Sequence, residues 1–254
     1  MGRVTGSRTV AWERYDAVLL DLDGVLTPTA RVHMAAWAEM FGEFLRGLDR
    51  TRPGFEDADT APYTDADYFA HVDGKPRYEG VADLLASRGI VLPPGSPDDP
   101  SSAETMCGLG NRKNAAFTTV LARDGVDPYP GSVALLDRLV ALGTRLAVVS
   151  SSANAPAVLA AAGLADRFVT VVDGRVAADL GLAGKPAPDT FLHAAAECGT
   201  TPARAVVVED AVSGVRAGAA GGFGLVVGVD RGAGAGPLAA AGADLVVADL
   251  GELA

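Results

Sequence analysis

Cysteine, net positive charge and long apolar runs are what this sequence lacks. Its two cysteines, Cys107 and Cys198, stand far apart. That is too few for a disulfide framework, and it suits reduced thiols inside a cell. Lysine and arginine total 21 against 32 aspartates and glutamates, a net charge of −11. This excludes the basic footprint of a nucleic-acid binder, and part of the surplus would be offset by a bound cation. No apolar stretch is long and uninterrupted enough to span a bilayer. Arg3 and Arg8 come early, but no apolar core of a signal peptide follows them. Residues 1–14 are expected to be a flexible leader and the location cytoplasmic. There is no internal repeat.

What is present is an alternation. The 254 residues, 49% hydrophobic and rich in alanine and glycine, suffice for one large domain or two small ones with a sizeable core. Apolar runs at 17–21, 145–150, 168–172, 205–209, 224–228 and 244–247 read as strands buried on both faces. Helical patterns over 132–142, 154–162, 188–198, 212–220 and 236–241 separate the later runs, which predicts βαβ units and a parallel sheet. Residues 30–126 hold no convincing strand. Periodicity there predicts helices over Arg31–Leu48, Asp65–Ala70, Val81–Ser87 and Lys113–Asp124, with a mobile loop from Pro93 to Pro100. The expected fold is α/β: a Rossmann-like parallel sheet core with helices on both faces over 15–29 and 127–254, plus an inserted α-helical cap over 30–126.

Four polar segments stand where apolar runs end. Asp21-Leu22-Asp23-Gly24 follows Ala17–Leu20, and Ser150 follows Leu146–Val149. Lys185-Pro186 lies in a loop stiffened by prolines, and Glu209-Asp210 follows Ala205–Val208. Open α/β sheets bind ligands outside the carboxyl ends of their strands, so these groups are expected to converge. A carboxylate nucleophile splits phosphate-ester cleavage into two easier steps through an acyl phosphate, a role expected for Asp21. Asp23, two residues on, can reach the same side as acid and then base. Mg2+ prefers oxygen ligands, and Asp21, Asp23 (through its backbone carbonyl), Glu209 and Asp210 are the expected set. Plainer readings exist for each. DLDG could be a strand and an Asp-Gly turn, Glu209-Asp210 a helix-start acidic pair, and Ser151, Ser152 and Asn154 helix caps.

The four segments in this order resemble the haloacid dehalogenase superfamily, whose phosphotransferases carry DxD, a Ser or Thr, a Lys and an acidic pair. The resemblance covers nearly the whole chain beyond about residue 15. It implies Asp21, Asp23, Ser150 and Lys185 as catalytic residues and Mg2+ as cofactor. Within the superfamily the chain is most similar to the β-phosphoglucomutase group. The segment DLDGVLT-x-T-x-x-x-H-x-x-A-W runs from Asp21 to Trp37, with Thr29 and His33 in place. Gly74-Lys75-Pro76-Arg77 and Asn111-Arg112-Lys113-Asn114 match cap segments of that group, and Ser151, Ser152 and Asn154 follow Ser150. The resemblance implies that Arg77, Ser152 and Asn154 hold a sugar's distal phosphate, while Thr29, His33, Lys113 and Ser151 also face the substrate. Pro28 and Ala153 depart from the mutase pattern, which has an acidic hinge residue and a lysine there. The expected function is interconversion of sugar 1-phosphate and 6-phosphate. The alternative is a phosphatase acting on a sugar, disaccharide or cyclitol phosphate. The expected partner is a small phosphorylated sugar, with no nucleic acid and no membrane, and the chain is expected to be a monomer or weak homodimer.

Overall fold

The computed structural model describes residues 10–52 and 54–254. In chain order the elements are β1 (Ala17–Leu20), α1 (Thr29–Gly47), α2 (Asp65–Asp67), a π turn over Tyr68–Val72, α3 (Arg77–Ser87), α4 (Met106–Asp124), α5 (Pro130–Ala141), β2 (Arg145–Val149), α6 (Ala155–Ala161), β3 (Thr170–Val172), α7 (Gly174–Leu180), α8 (Asp189–Glu197), β4 (Ala205–Glu209), α9 (Val212–Ala220), β5 (Leu225–Val229), α10 (Ala235–Ala241) and β6 (Leu245–Val247). They form two compact units. One runs to Thr27 and resumes at Asp127, and the other is Pro28–Val126.

The first unit is built on one six-stranded sheet in the order β3-β2-β1-β4-β5-β6. Every neighbouring pair is parallel. Apart from Arg145, Thr170 and Glu209 at strand ends, the strands carry only apolar residues and glycine, because both faces are covered. Ala17, Leu19, Ala147, Val149, Ala205 and Val207 pack with Phe191, Ala194 and Ala195 of α8 and with Cys198 just past its end. The alternate residues Val18, Leu20, Val148 and Val206 are equally buried on the other side. Each such side chain stabilises the fold by roughly 1.5–3 kcal/mol relative to exposure. The strand order reverses between β1 and β4, which is where sheets of this kind bind ligands.

The helical unit has its own core. Trp37, Met40, Phe41 and Leu45 of α1 cluster with Val81, Leu84 and Leu85 of α3 and Leu109 of α4.

Several expectations change. Residues 1–9 lie outside the described residues, but 10–14 are not a flexible leader: Trp12 is fully buried, and its indole N–H donates to the carbonyl of Leu253 at 3.2 Å. α3 starts at Arg77 and α4 at Met106, each earlier than expected. The helix expected over 65–70 is a short turn, capped by Thr64, that runs into the π turn. α7 was not expected at all. Gly108 disguises the start of α4, because glycine weakens helices. A side chain there would stand 2.3 Å from the carbonyl of Ala103, so close packing decides the residue. The loop from Pro93 is tied down rather than loose. Asn111 donates to the carbonyls of Pro97 (3.0 Å) and Asp99 (2.8 Å), Arg112 donates to Ser101, and the amides of Met106 and Cys107 reach Pro93 and Pro94.

Candidate active site

Asp21 is the first residue past β1, and its backbone amide extends the ladder to the carbonyl of Val208 at 2.9 Å. This carries its side chain to the carboxyl edge of the sheet, next to the end of β4. Lys185 reaches the same point. Its ammonium donates to Asp21 Oδ1 at 2.6 Å, to the carbonyl of Val149 at 3.0 Å, and to Glu209 Oε1. Lys185 is 3% exposed, Glu209 1% and Asp21 8%, so these charges lie almost out of water. Burial pushes the Asp21 carboxyl well up from its ordinary range; Lys185 opposes this, and Glu209 and Asp23 add to it. For Lys185 burial acts downward, but the adjacent Asp21 and Glu209 outweigh it and hold the ammonium firmly charged.

Glu209 has both oxygens engaged, since its Oε2 accepts from the amide of Ala211 at 3.0 Å. Room for it comes from Gly214 in α9, where a Cβ would stand 1.8 Å from Glu209 Oε1. Asp210 is accommodated in the same way by Gly24. That glycine has φ +85°, which favours glycine, and a Cβ on it would lie 1.8 Å from Asp210 Oδ2.

Among the described residues, carboxylate oxygens of Asp21, Glu209 and Asp210 come within 4.8 Å of one another. The fourth expected ligand, the backbone carbonyl of Asp23, is not a side-chain group and stands outside this cluster of carboxylates. The donors fit a hard divalent cation. They are all oxygen, and three carboxylates against the single ammonium of Lys185 leave net negative charge in a buried place.

The segment after Asp21 is held from outside at three successive carbonyls. Gly24 accepts from Arg231 Nε at 2.9 Å, Val25 from the Ser132 hydroxyl at 2.6 Å, and Leu26 from the amide of Tyr129 at 2.9 Å. Leu22, Val25 and Leu26 are fully buried beneath it. None of Ser132, Tyr129 and Arg231 was expected. The rule that found Glu209, polar residues closing an apolar strand, also points to Asp230-Arg231 after β5.

Ser150 follows β2, and its amide donates to Val172 at 3.0 Å. Its hydroxyl oxygen accepts from the amide of Ser152 at 3.1 Å, and that of Ser152 accepts from the amide of Asn154 at 3.2 Å. The helix-cap reading is not met, because Asn154, the N-cap of α6, makes no side-chain cap bond; what stands ahead of the helix are these local turns. They are compatible with a ligand role, because a hydroxyl that accepts still has a hydrogen to donate. Asn154 is buried at the start of α6, and Ser151 is half-buried.

The remaining expected residues belong to the helical unit. Thr29 is buried at the start of α1. Lys113, buried in α4, contacts Nδ1 of His33 and lies 5.0 Å from the Trp37 ring centroid. An ammonium only donates, so Nδ1 accepts and the imidazole proton sits on Nε2. Burial, then Lys113 and Arg77, push His33 well below its ordinary range, so it is neutral at pH 7. His33 also stacks on Phe117 at 3.9 Å. Arg77 donates to Asn114 Oδ1 at 2.8 Å and Asn111 Oδ1 at 3.3 Å, and Tyr78 donates to Asn111 Oδ1 at 2.9 Å. The same Asn111 amide holds the loop after Pro93.

The haloacid dehalogenase-like hydrolase family profile matches residues 15–222. A β-phosphoglucomutase of Mycobacterium bovis is 51% identical over 246 residues, 95% of this chain and 92% of that protein. The fructose-1-phosphate phosphatase YqaB of Escherichia coli is 31% identical over 85% of this chain and 97% of its own length. A solved β-phosphoglucomutase from Clostridium difficile has the same fold, with TM-score 0.73 and 23% identity over 94% of this chain and 93% of that one.

Proposed function

The chain belongs to the haloacid dehalogenase-like hydrolase family, and from that premise we propose that it is an enzyme moving a phosphoryl group on a phosphorylated sugar, by way of an aspartyl phosphate on Asp21. The observation that carries this reading is the cluster of buried Asp21, Lys185 and Glu209 with half-buried Asp210 at the point where the strand order reverses.

Asp21 attacks phosphorus, and its bond to the leaving oxygen breaks as Asp23 gives that oxygen a proton. Lys185 offsets the charge of Asp21 and of the phosphoryl oxygens, and Ser150 donates a hydrogen bond to one of them. A hydroxyl then attacks the acyl phosphate, Asp23 takes its proton, and Asp21 is freed. Asp21, Glu209, Asp210 and the Asp23 carbonyl would hold Mg2+, which when bound neutralises phosphoryl charge. Thr29, His33, Lys113 and Ser151 are assigned to the sugar, and Arg77, Ser152 and Asn154 to a second phosphate, for which a guanidinium is well shaped.

With a second sugar hydroxyl as acceptor, the reaction is interconversion of β-glucose 1-phosphate and 6-phosphate, the reading favoured by 51% identity to a protein of that name. With water as acceptor it is a phosphatase. Pro28 and Ala153 favour that second reading, as does likeness to a sugar-phosphate phosphatase. The test is incubation with β-glucose 1-phosphate, a trace of the bisphosphate and Mg2+, with glucose 6-phosphate and inorganic phosphate followed together. Glucose 6-phosphate well ahead of phosphate is expected, and it should vanish in Asp21→Asn. Phosphate alone would establish the second reading, and undiminished turnover in Asp21→Asn would end both.

A further inference from the structure

The turn after β5 holds a side chain that the proposed chemistry does not use. Asp230 fixes that turn: its amide donates to Val247 at 2.8 Å, and its Oδ1 accepts from the amides of Gly232 (3.1 Å) and Gly234 (3.0 Å). The next residue, Arg231, is held on every side. Its Nε donates to the carbonyl of Gly24 at 2.9 Å, Nη1 to that of Ala248 at 3.1 Å, and Nη2 to Asp249 Oδ2 at 3.2 Å. The guanidinium carbon lies over the Tyr129 ring, 3.9 Å from its centroid, a cation–π contact.

What Arg231 holds matters more than how it is held. Gly24 is bonded directly to Asp23, and it has no side chain to lock it against its surroundings. Its conformation is fixed at two points: its amide donates to Thr27 at 2.7 Å, and its carbonyl accepts from Arg231. It lies so close to Asp210 that a single added carbon would collide with it. A small rotation about Gly24 therefore moves the Asp23–Gly24 peptide with respect to both Asp21 and Asp210. Ser132 and Tyr129 grip the next two carbonyls, one and two residues farther from Asp23.

We propose that Arg231 is a positioning residue: by fixing the Gly24 carbonyl it keeps Asp23 in register with Asp21 for proton transfer. The proposal rests on the reading of Asp23 as the acid–base group.

The experiment is a double-mutant cycle of wild type, Asp23→Asn, Arg231→Met and the pair, with β-glucose 1-phosphate and Mg2+ as substrate and all products counted. Asp23→Asn alone should cost about 10²–10⁴ in kcat. Arg231→Met should lower kcat by about tenfold to 10²-fold, the scale of a misplaced catalytic group, with KM nearly unchanged. At saturating Mg2+, so that the part of the Asp23 backbone carbonyl in holding the ion is not limiting, Arg231→Met in the Asp23→Asn background should cost less than about twofold, because the carboxyl it positions is already gone. Amide hydrogen exchange over 22–27 should quicken in Arg231→Met, a readout independent of turnover. Should Arg231→Met fail to fold, Arg231→Lys replaces it in the same cycle, since an ammonium cannot serve Gly24, Ala248 and Asp249 at once. Equal losses in both backgrounds, or no loss in either, overturn the proposal while leaving the acid–base reading intact. Near-normal turnover in Asp23→Asn overturns that reading itself.

Discussion

Replacing Gly214 by alanine sets two effects against each other. Gly214 lies within α9, where alanine is better than glycine by about 0.8–1 kcal/mol on helix propensity alone. The new methyl would stand 1.8 Å from Glu209 Oε1 and 2.0 Å from its carboxyl carbon, so the glutamate must swing away. It then gives up Lys185 and the Ala211 amide in a place without water. Breaking a buried ion pair costs about 3–5 kcal/mol; Lys185 keeps Asp21, so the lower end applies. The net expectation is a loss of about 2 kcal/mol, or about 4–8 °C in Tm for a protein of this size. The chain has two tryptophans, Trp12 and Trp37. In a Trp37→Phe background the fluorescence of Trp12 reports urea unfolding of the sheet-bearing unit. Gly236→Ala is the control: it is also helical, nothing lies within 4 Å of its added carbon, and it should stabilise by about 0.4–1 kcal/mol. If Gly214→Ala is as stable as its parent while the control gains, Glu209 does not occupy the space described, and the reasoning fails.

Mg2+ at about ten times its Kd should add about 1.4 kcal/mol of stability, read as a rise in Tm that a chelator reverses. Asp210→Ala should lose that rise, and a rise that persists in the variant would place the ion elsewhere. Arg204 donates to both oxygens of Asp16 at 2.6 Å, and this bonding holds the carboxyl down at about 2. A lowered folded-state value stabilises above the ordinary value of 3.8, and the effect fades as pH falls toward about 2. Asp16→Asn should therefore unfold at lower urea than its parent at pH 7, with the gap shrinking below about pH 4 and closing only below about pH 2. A gap that is constant with pH would mean that packing, not charge, is responsible.

The six strands were legible because sheets covered on both faces demand long apolar runs, and three of the runs end on candidate site residues: Asp21, Ser150 and Glu209-Asp210. α7 was hidden because it begins with a glycine and shows little periodicity. Its signals were Asp173, whose carboxylate accepts from the amides of Arg175 and Val176, and left-handed Gly181 at its end. The first turns of α4 were hidden by Gly108, where tertiary packing overrides propensity. At the site, the identities of Asp21, Lys185, Glu209 and Asp210 were readable. That Glu209 has both its oxygens taken was not, because its partners come from a loop distant in sequence and from its own following turn. Arg231 was missed because its importance lies in a backbone carbonyl, and carbonyls leave no trace in a sequence.

The sheet order carries a consequence for how the molecule is made. β1 is the earliest of the six strands in the chain, yet it lies inside the sheet, with β2 and β4 as its neighbours. On a ribosome adding about 5–20 residues per second, Ala17–Leu20 waits on the order of 10–40 s for the residues of β4 that will cover its second edge. During that interval four fully apolar residues have an open edge, the kind of surface that recruits other chains. The helical unit is synthesised in the same interval, and its buried cluster draws only on residues within Pro28–Val126. The strand that leads to Asp21, the proposed nucleophile, is thus the first to emerge, and it must wait for a partner almost two hundred residues later in the chain (about 185) before its second edge is covered.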